Sequence, residues 1–120
     1  MTLEIKRNTD EIIMELTGRL DTTTAPALDK TINENLHEIK SLILDFKCLE
    51  YISSAGLRVL LSAQKKMQRV GVMKVINVCE EVMEIFEMTG FADILVIESK
   101  EKENNEYYTN RKRRRFFCKN

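Results

Sequence analysis

The sequence predicts an α/β fold: a single domain built on a mixed sheet of about five strands with helices packed against it. Three observations lead there. The chain opens with two segments whose apolar residues alternate, "LEIKR" and "IIMEL". From Leu42 onward, short apolar runs take turns with stretches of helical periodicity. A length of 120 residues suits one compact domain with a core of its own.

In chain order, Leu3 and Ile5, then Ile12, Met14 and Leu16, put apolar side chains on one face of each of two strands. The polar "NTDE" between them reads as the connection of a hairpin. Gly18 is expected to break the second strand. The Thr22 to Thr24 cluster offers hydroxyls for a helix N-terminus, and Pro26 falls in a first helical turn, where its missing N–H costs little. A helix is predicted from about residue 25, with Leu28, Ile32, Leu36 and Ile39 on one apolar face.

"SLILDF" is apolar on successive residues from Leu42 to Leu44, which predicts a strand covered on both faces. Asp45 stands near its solvated end, and "KCLEYIS" is the connection that follows. From Ser54 the pattern is helical, through Leu57, Leu60, Leu61, Gln64 and Met67, with Gly71 as the stop signal. "VMKVINV" predicts a further strand. "CEEVMEIFEMTG" predicts a short helix whose Glu80 and Glu81 suit the dipole of a first turn, and Gly90 ends it. "DILVI" is the last strand. Met67, Met73, Met83 and Met88 sit among other apolar residues and read as core filling rather than a cofactor site.

Composition narrows the function classes. No apolar run approaches the roughly 20 residues of a membrane span. The N-terminal "MTLEIKRNTDEI" carries scattered charges in place of the apolar stretch of about 7–15 residues that marks a secretory signal, so a cytoplasmic location is expected. Cys48, Cys79 and Cys118 lie far apart, without the spacing of a metal site or the density of a disulfide scaffold, and are expected to be reduced thiols. Neither a metal nor another cofactor is expected.

The stretch "YISSAGLRVLL" follows a strand and opens a helix. A helix's first turn leaves N–H groups unpaired and carries partial positive charge, so Ser53 or Ser54 can serve as its cap. The same environment also suits a phosphorylated serine, because those N–H groups and the dipole stabilise a phosphate, and Gly56 allows close approach of another backbone. A phosphate would add about 1.5 to 2 negative charges at pH 7, enough to reverse a partner's preference for the surface. Enzyme readings fail on the same residues. Leu57 and Arg58 follow Gly56 where a P-loop needs Lys and Ser or Thr. Ile52 stands where a hydrolase nucleophile elbow around Ser54 needs its first glycine, and the only histidine, His37, belongs to a distant segment.

"LILDFKCLEYISSAGLRVLL" resembles the central motif of the anti-sigma factor antagonists of the STAS family, in which strand, loop and helix bear an Asp-Ser-Ser/Thr-Gly-Leu signature. "GRLDTTTAPALDK" is similar to the family's Gly-x-Leu-Asp approach to its first helix, and "EIFEMTGFADILVI" to its ending. The resemblance covers residues 1–98. It implies helices on one side of the sheet, no catalytic activity, and a phospho-switch. The unphosphorylated antagonist binds a serine kinase that doubles as an anti-sigma factor, the kinase phosphorylates it, and a metal-dependent serine phosphatase resets it. The signature aligns with Ser53, Ser54, Ala55, Gly56 and Leu57, so Ser54 is the expected phosphoacceptor. Ser53 replaces the acidic residue of the signature, and Ala55 its second hydroxyl. Asp21 aligns with the family's acidic residue before the first helix, where it either orients the acceptor and the kinase or caps the turn. The expected partner-binding surface is Asp21, Thr22, Thr23 and Thr24 with Ser53, Ser54, Ala55, Gly56, Leu57 and Arg58. The alternative is a STAS scaffold of a larger assembly, such as a stressosome or a lipid-transport complex, that uses this turn for contact without phosphorylation.

Charge divides the chain. Residues 1–98 hold 11 Lys and Arg against 16 Asp and Glu, a net of −5, whereas residues 99–120 hold 8 against 3, a net of +5. This second part has lost the apolar periodicity and is expected to be a disordered tail. Direct DNA binding is not expected of the domain. The tail's "RKRRRFFCKN" joins basic residues to aromatics, a composition that can bind nucleic acid or an anionic membrane surface and equally fits a solvated terminus.

Overall fold

The computed structural model describes residues 1–98, and the tail lies outside the described residues. Strands β1 (Thr2–Arg7) and β2 (Glu11–Leu20) are followed by helix α1 (Ala25–Asn35), strand β3 (Ser41–Ile52) and helix α2 (Ser54–Gln68). Strand β4 (Val72–Ile76), helices α3 (Glu80–Thr89) and α4 (Phe91–Ile94) and strand β5 (Ile97–Glu98) complete the order. The five strands form one sheet in chain order, antiparallel between β1 and β2 and parallel from β2 through β5. The expected mixed α/β sheet is therefore present.

One face of the sheet carries the core. Ile12, Met14 and Leu16 of β2, Leu42, Leu44 and Phe46 of β3, and Met73 and Val75 of β4 pack with Leu28 and Ile32 of α1, Leu60 and Met67 of α2, and Val82 and Phe86 of α3. The rings of Phe46 and Phe86 lie 6.4 Å apart, tilted at 37°. The helices thus share one side, as the resemblance implied. Full burial of each large side chain contributes roughly 1.5–3 kcal/mol, so this two-layer core is the main source of stability.

Four expectations are corrected. The run Leu42 to Leu44 is not covered on both faces, because Leu42 and Leu44 are buried while Ile43 is only half-buried on the opposite side. β3 does not end near Asp45 but continues through the supposed connection to Ile52, paired with β2 throughout. Gly18 does not break β2, which runs on to Leu20 with register shifts on either side of Gly18. The last strand is only Ile97–Glu98, since "FADI" forms α4.

The glycine that stops α2 has a steric reason. A Cβ on Gly71 would lie 2.0 Å from the Lys40 carbonyl oxygen, the same oxygen that accepts from Val72 N at 2.9 Å as β4 enters the sheet. Cys79 is a free, buried thiol. No helix of the described residues is long and apolar enough to cross a membrane.

Candidate functional site

Because β2 and β3 run parallel, their ends and the turns that follow lie at one edge of the sheet. Arg19 is paired with Tyr51 and Leu20 with Ile52, and Ser53 N donates to Leu20 O at 2.9 Å, tying the second turn to the first. The segments Asp21–Thr24 and Ser53–Arg58, expected to form one surface, are thus brought together.

The first turn is closed on itself. Asp21 Oδ1 accepts from Thr23 N at 3.0 Å, Thr23 Oγ1 at 2.8 Å and Thr24 N at 3.3 Å. In return Asp21 N donates to Thr24 Oγ1 at 2.8 Å, and that hydroxyl donates to Arg19 O at 2.9 Å. The Thr23 hydroxyl foremost holds the Asp21 carboxyl below its ordinary value, with help from the Thr23 and Thr24 N–H groups and against the carboxyl's own desolvation. Asp21 is therefore the organiser of this turn. None of the threonine hydroxyls caps α1 directly, and Thr22 is exposed.

The second turn is open. Ser53 is the N-cap of α2, with extended backbone, and its hydroxyl accepts from Gly56 N at a long 3.4 Å while its carbonyl accepts from Leu57 N at 2.9 Å. Ser54 is the first helical residue. It is exposed, and its hydroxyl has no hydrogen-bond partner among the described residues. Gly56 is buried, and a Cβ there would come within 2.8 Å of both Ile52 Cγ1 and Leu20 Cγ, so the missing side chain lets α2 start directly on the ends of β2 and β3. Leu57 is buried in the core and shapes the turn from beneath, Ala55 is half-buried against that core, and Arg58 is exposed.

The edge includes two side chains that sequence reasoning missed. The Arg19 guanidinium lies 4.3 Å above the centre of the Tyr51 ring, with its Nε 3.9 Å from Asp21 Oδ2. Only the register joins them, since Arg19 and Tyr51 are 32 positions apart in a stretch whose connection was read as a loop.

The geometry offers an exposed hydroxyl at a helix N-terminus, with Arg58 one turn further along α2 and Arg19 on the neighbouring strand end. His37 lies beyond the far end of α1, at the opposite edge of the sheet, where its carbonyl accepts from Arg7 Nη2 at 3.3 Å. Among the described residues no three metal-ligating side chains converge.

Known proteins share this sequence pattern and this architecture. The family model described as STAS domain matches residues 2–104. The chain is 31% identical over 110 residues to the anti-sigma-B factor antagonist of Listeria monocytogenes, covering 88% of this chain and 95% of that one. It is 27% identical over 101 residues to the anti-sigma-B factor antagonist of Bacillus subtilis, covering 83% and 93%. The phosphorylated form of the Bacillus cell fate determinant SpoIIAA has a similar fold, with a TM-score of 0.66 at 16% identity over 88% of this chain and 98% of that one.

Proposed function

The chain belongs to the STAS domain family, and from that premise we propose that it is an anti-sigma factor antagonist working by partner switching. Unphosphorylated, it binds a serine-kinase anti-sigma factor through the edge formed by Asp21–Thr24 and Ser53–Arg58, and the sigma factor is released. The kinase then transfers the γ-phosphoryl group of ATP to Ser54 Oγ; the hydroxyl proton leaves to the kinase's base and ADP departs. A metal-dependent serine phosphatase returns the protein to its binding form by hydrolysis.

The observation that carries this reading is the contrast between the two serines. The Ser53 hydroxyl serves α2 as its cap, whereas the Ser54 hydroxyl is exposed and unshared at the first helical position. A phosphate there gains from the unpaired N–H groups and the dipole of a 15-residue helix, so the domain tolerates the modification without refolding. The partner feels the change instead. An acidic patch suited to Arg19 and Arg58 would face about 1.5 to 2 added negative charges in the contact. The domain itself does no chemistry in this cycle.

The test is to incubate the purified protein with ATP, Mg²⁺ and lysate of its own cells and to locate any phosphate by mass spectrometry. A single phosphate on Ser54, absent from Ser54→Ala, is the expected result. Phosphate on Ser53 would move the acceptor by one residue. If a known kinase substrate is labelled in the same lysate and this chain is not, the turn serves contact alone, as in a scaffold.

A further inference from the structure

The sheet ends on one side at β1, and that edge is bare. Antiparallel pairing with β2 uses the backbone groups of only one side of β1, so alternate residues turn N–H and C=O groups outward, and among the described residues no strand lies beyond it. The helix layer does not cover it either. Ile5, paired with the buried Met14 and therefore on the helical face, is 41% exposed, and within β1 only Leu3 is even half-buried. An open edge of this kind can accept one more strand.

The side chains restrict which strand that can be. Glu4 precedes Ile5 and Lys6 follows it; both are exposed, and neither has an ion-pair partner among the described residues. Glu4 faces Glu15 across to β2, and like charges directly opposite one another are destabilising. A second β1, laid antiparallel along the first with a two-fold axis at Ile5, matches this arrangement. Ile5 meets Ile5, Glu4 of each copy meets Lys6 of the other, and Leu3 meets Arg7. Moving the axis by one residue sets Glu4 against Glu4 or Lys6 against Lys6. The charges that blunt this edge against other strands thus admit a second copy in one register.

We propose that the chain forms a two-fold dimer through this β1–β1 pairing, which joins two five-stranded sheets into one. The axis stands perpendicular to the sheet, so both helix layers fall on the same side, and Leu3 and Ile5 of the two copies meet in the gap between them. β1 pairs with β2 only as far as Thr17 and stops short of the strand end at Arg19 and Leu20, which leaves the turns of Asp21 and Ser54 open in both copies. Because the strands of the second copy run the opposite way, its turns lie at the other end of the joined sheet. An edge of about 17 Å stays below the roughly 1,200 Å² that stable interfaces bury, so the association is weak and depends on concentration.

Sedimentation equilibrium of the full chain under reducing conditions, at concentrations up to about 1 mM, tests this. A monomer–dimer equilibrium is expected. Glu4→Lys and Lys6→Glu should each weaken it about tenfold, since the two-fold axis turns one reversal into two like-charge pairs. Mixed together, the two variants should associate with each other as strongly as wild type does with itself, and the double variant Glu4→Lys/Lys6→Glu should regain the dimer, because both restore opposite charges across the axis. Recovery in the mixture also shows that neither single variant has lost its fold. A chain that stays monomeric throughout overturns the proposal. So does a dimer that either reversal leaves unchanged, or one that the mixture and the double variant fail to restore.

Discussion

Two turns lie side by side where β2 and β3 end. Both start helices and both are rich in hydroxyls, yet they use them differently. In Asp21–Thr24 the carboxylate and two of the three hydroxyl groups satisfy one another, and the turn is finished as a structural unit. In Ser53–Gly56 only the first hydroxyl is engaged, and weakly, while the second faces solvent at the start of a long helix. The difference separates residues that make an edge from the residue available for chemistry on it, and substitutions in the two turns should separate in the same way.

The largest effect is expected where the open turn rests on the core. In Gly56→Val even the first added carbon meets Ile52 Cγ1 and Leu20 Cγ, atoms close to the backbone rather than at the far end of a flexible side chain, and two further methyl groups follow. Overpacking of this kind costs about 3 kcal/mol, which the modest helix preference of Val over Gly offsets by only a few tenths. Urea denaturation should show the loss. A midpoint unchanged from wild type would mean that α2 does not start against the strand ends.

A smaller and more discriminating effect is expected from the paired serines. Ser53→Ala removes the N-cap and should cost about 0.5–2 kcal/mol, toward the lower end given the long bond to Gly56 N. Ser54→Ala removes a hydroxyl with no partner and should stay within about 0.5 kcal/mol of wild type. Thermal unfolding of the two variants measures the contrast. Equal losses would place Ser54 in the structure of the turn and weaken its standing as a free acceptor.

Much of this edge was legible in the sequence. Capping chemistry marks Ser53 and Ser54 as a helix start, and Thr22 to Thr24 before Pro26 mark another, because such preferences are local. The length of β3 was not legible. Glu15 and Thr17 are two residues apart on β2, but their partners Asp45 and Cys48 are three apart, and Gly18 and Arg19 face Leu49 and Tyr51 in the same uneven way. Each extra residue breaks the alternation that identifies a strand, so "KCLEYIS" reads as a loop although its pairing continues. The stacking of Arg19 on Tyr51 was lost with it. Which serine is engaged was equally hidden, since the tie from Ser53 N to Leu20 O joins residues 33 positions apart.

The smallest effect belongs to the closed turn and depends on pH. Asp21→Asn keeps an oxygen where Oδ1 accepts its hydrogen bonds and removes only the charge. In the wild type the Thr23 hydroxyl foremost, with the neighbouring N–H groups, lowers the Asp21 pKa on folding from an unfolded value of about 4. A carboxyl whose pKa falls on folding stabilises the fold at pH above its unfolded value, and that contribution disappears as the pH drops through the folded value. The difference in unfolding midpoint between wild type and Asp21→Asn should therefore be constant above about pH 5 and shrink below about pH 4. It should be modest throughout, because the carboxylate is partly open to solvent and its interactions are screened. A difference that persists unchanged to pH 3 would mean that an uncharged acceptor closes the turn just as well, leaving the charge of Asp21 to serve the partner-binding edge instead.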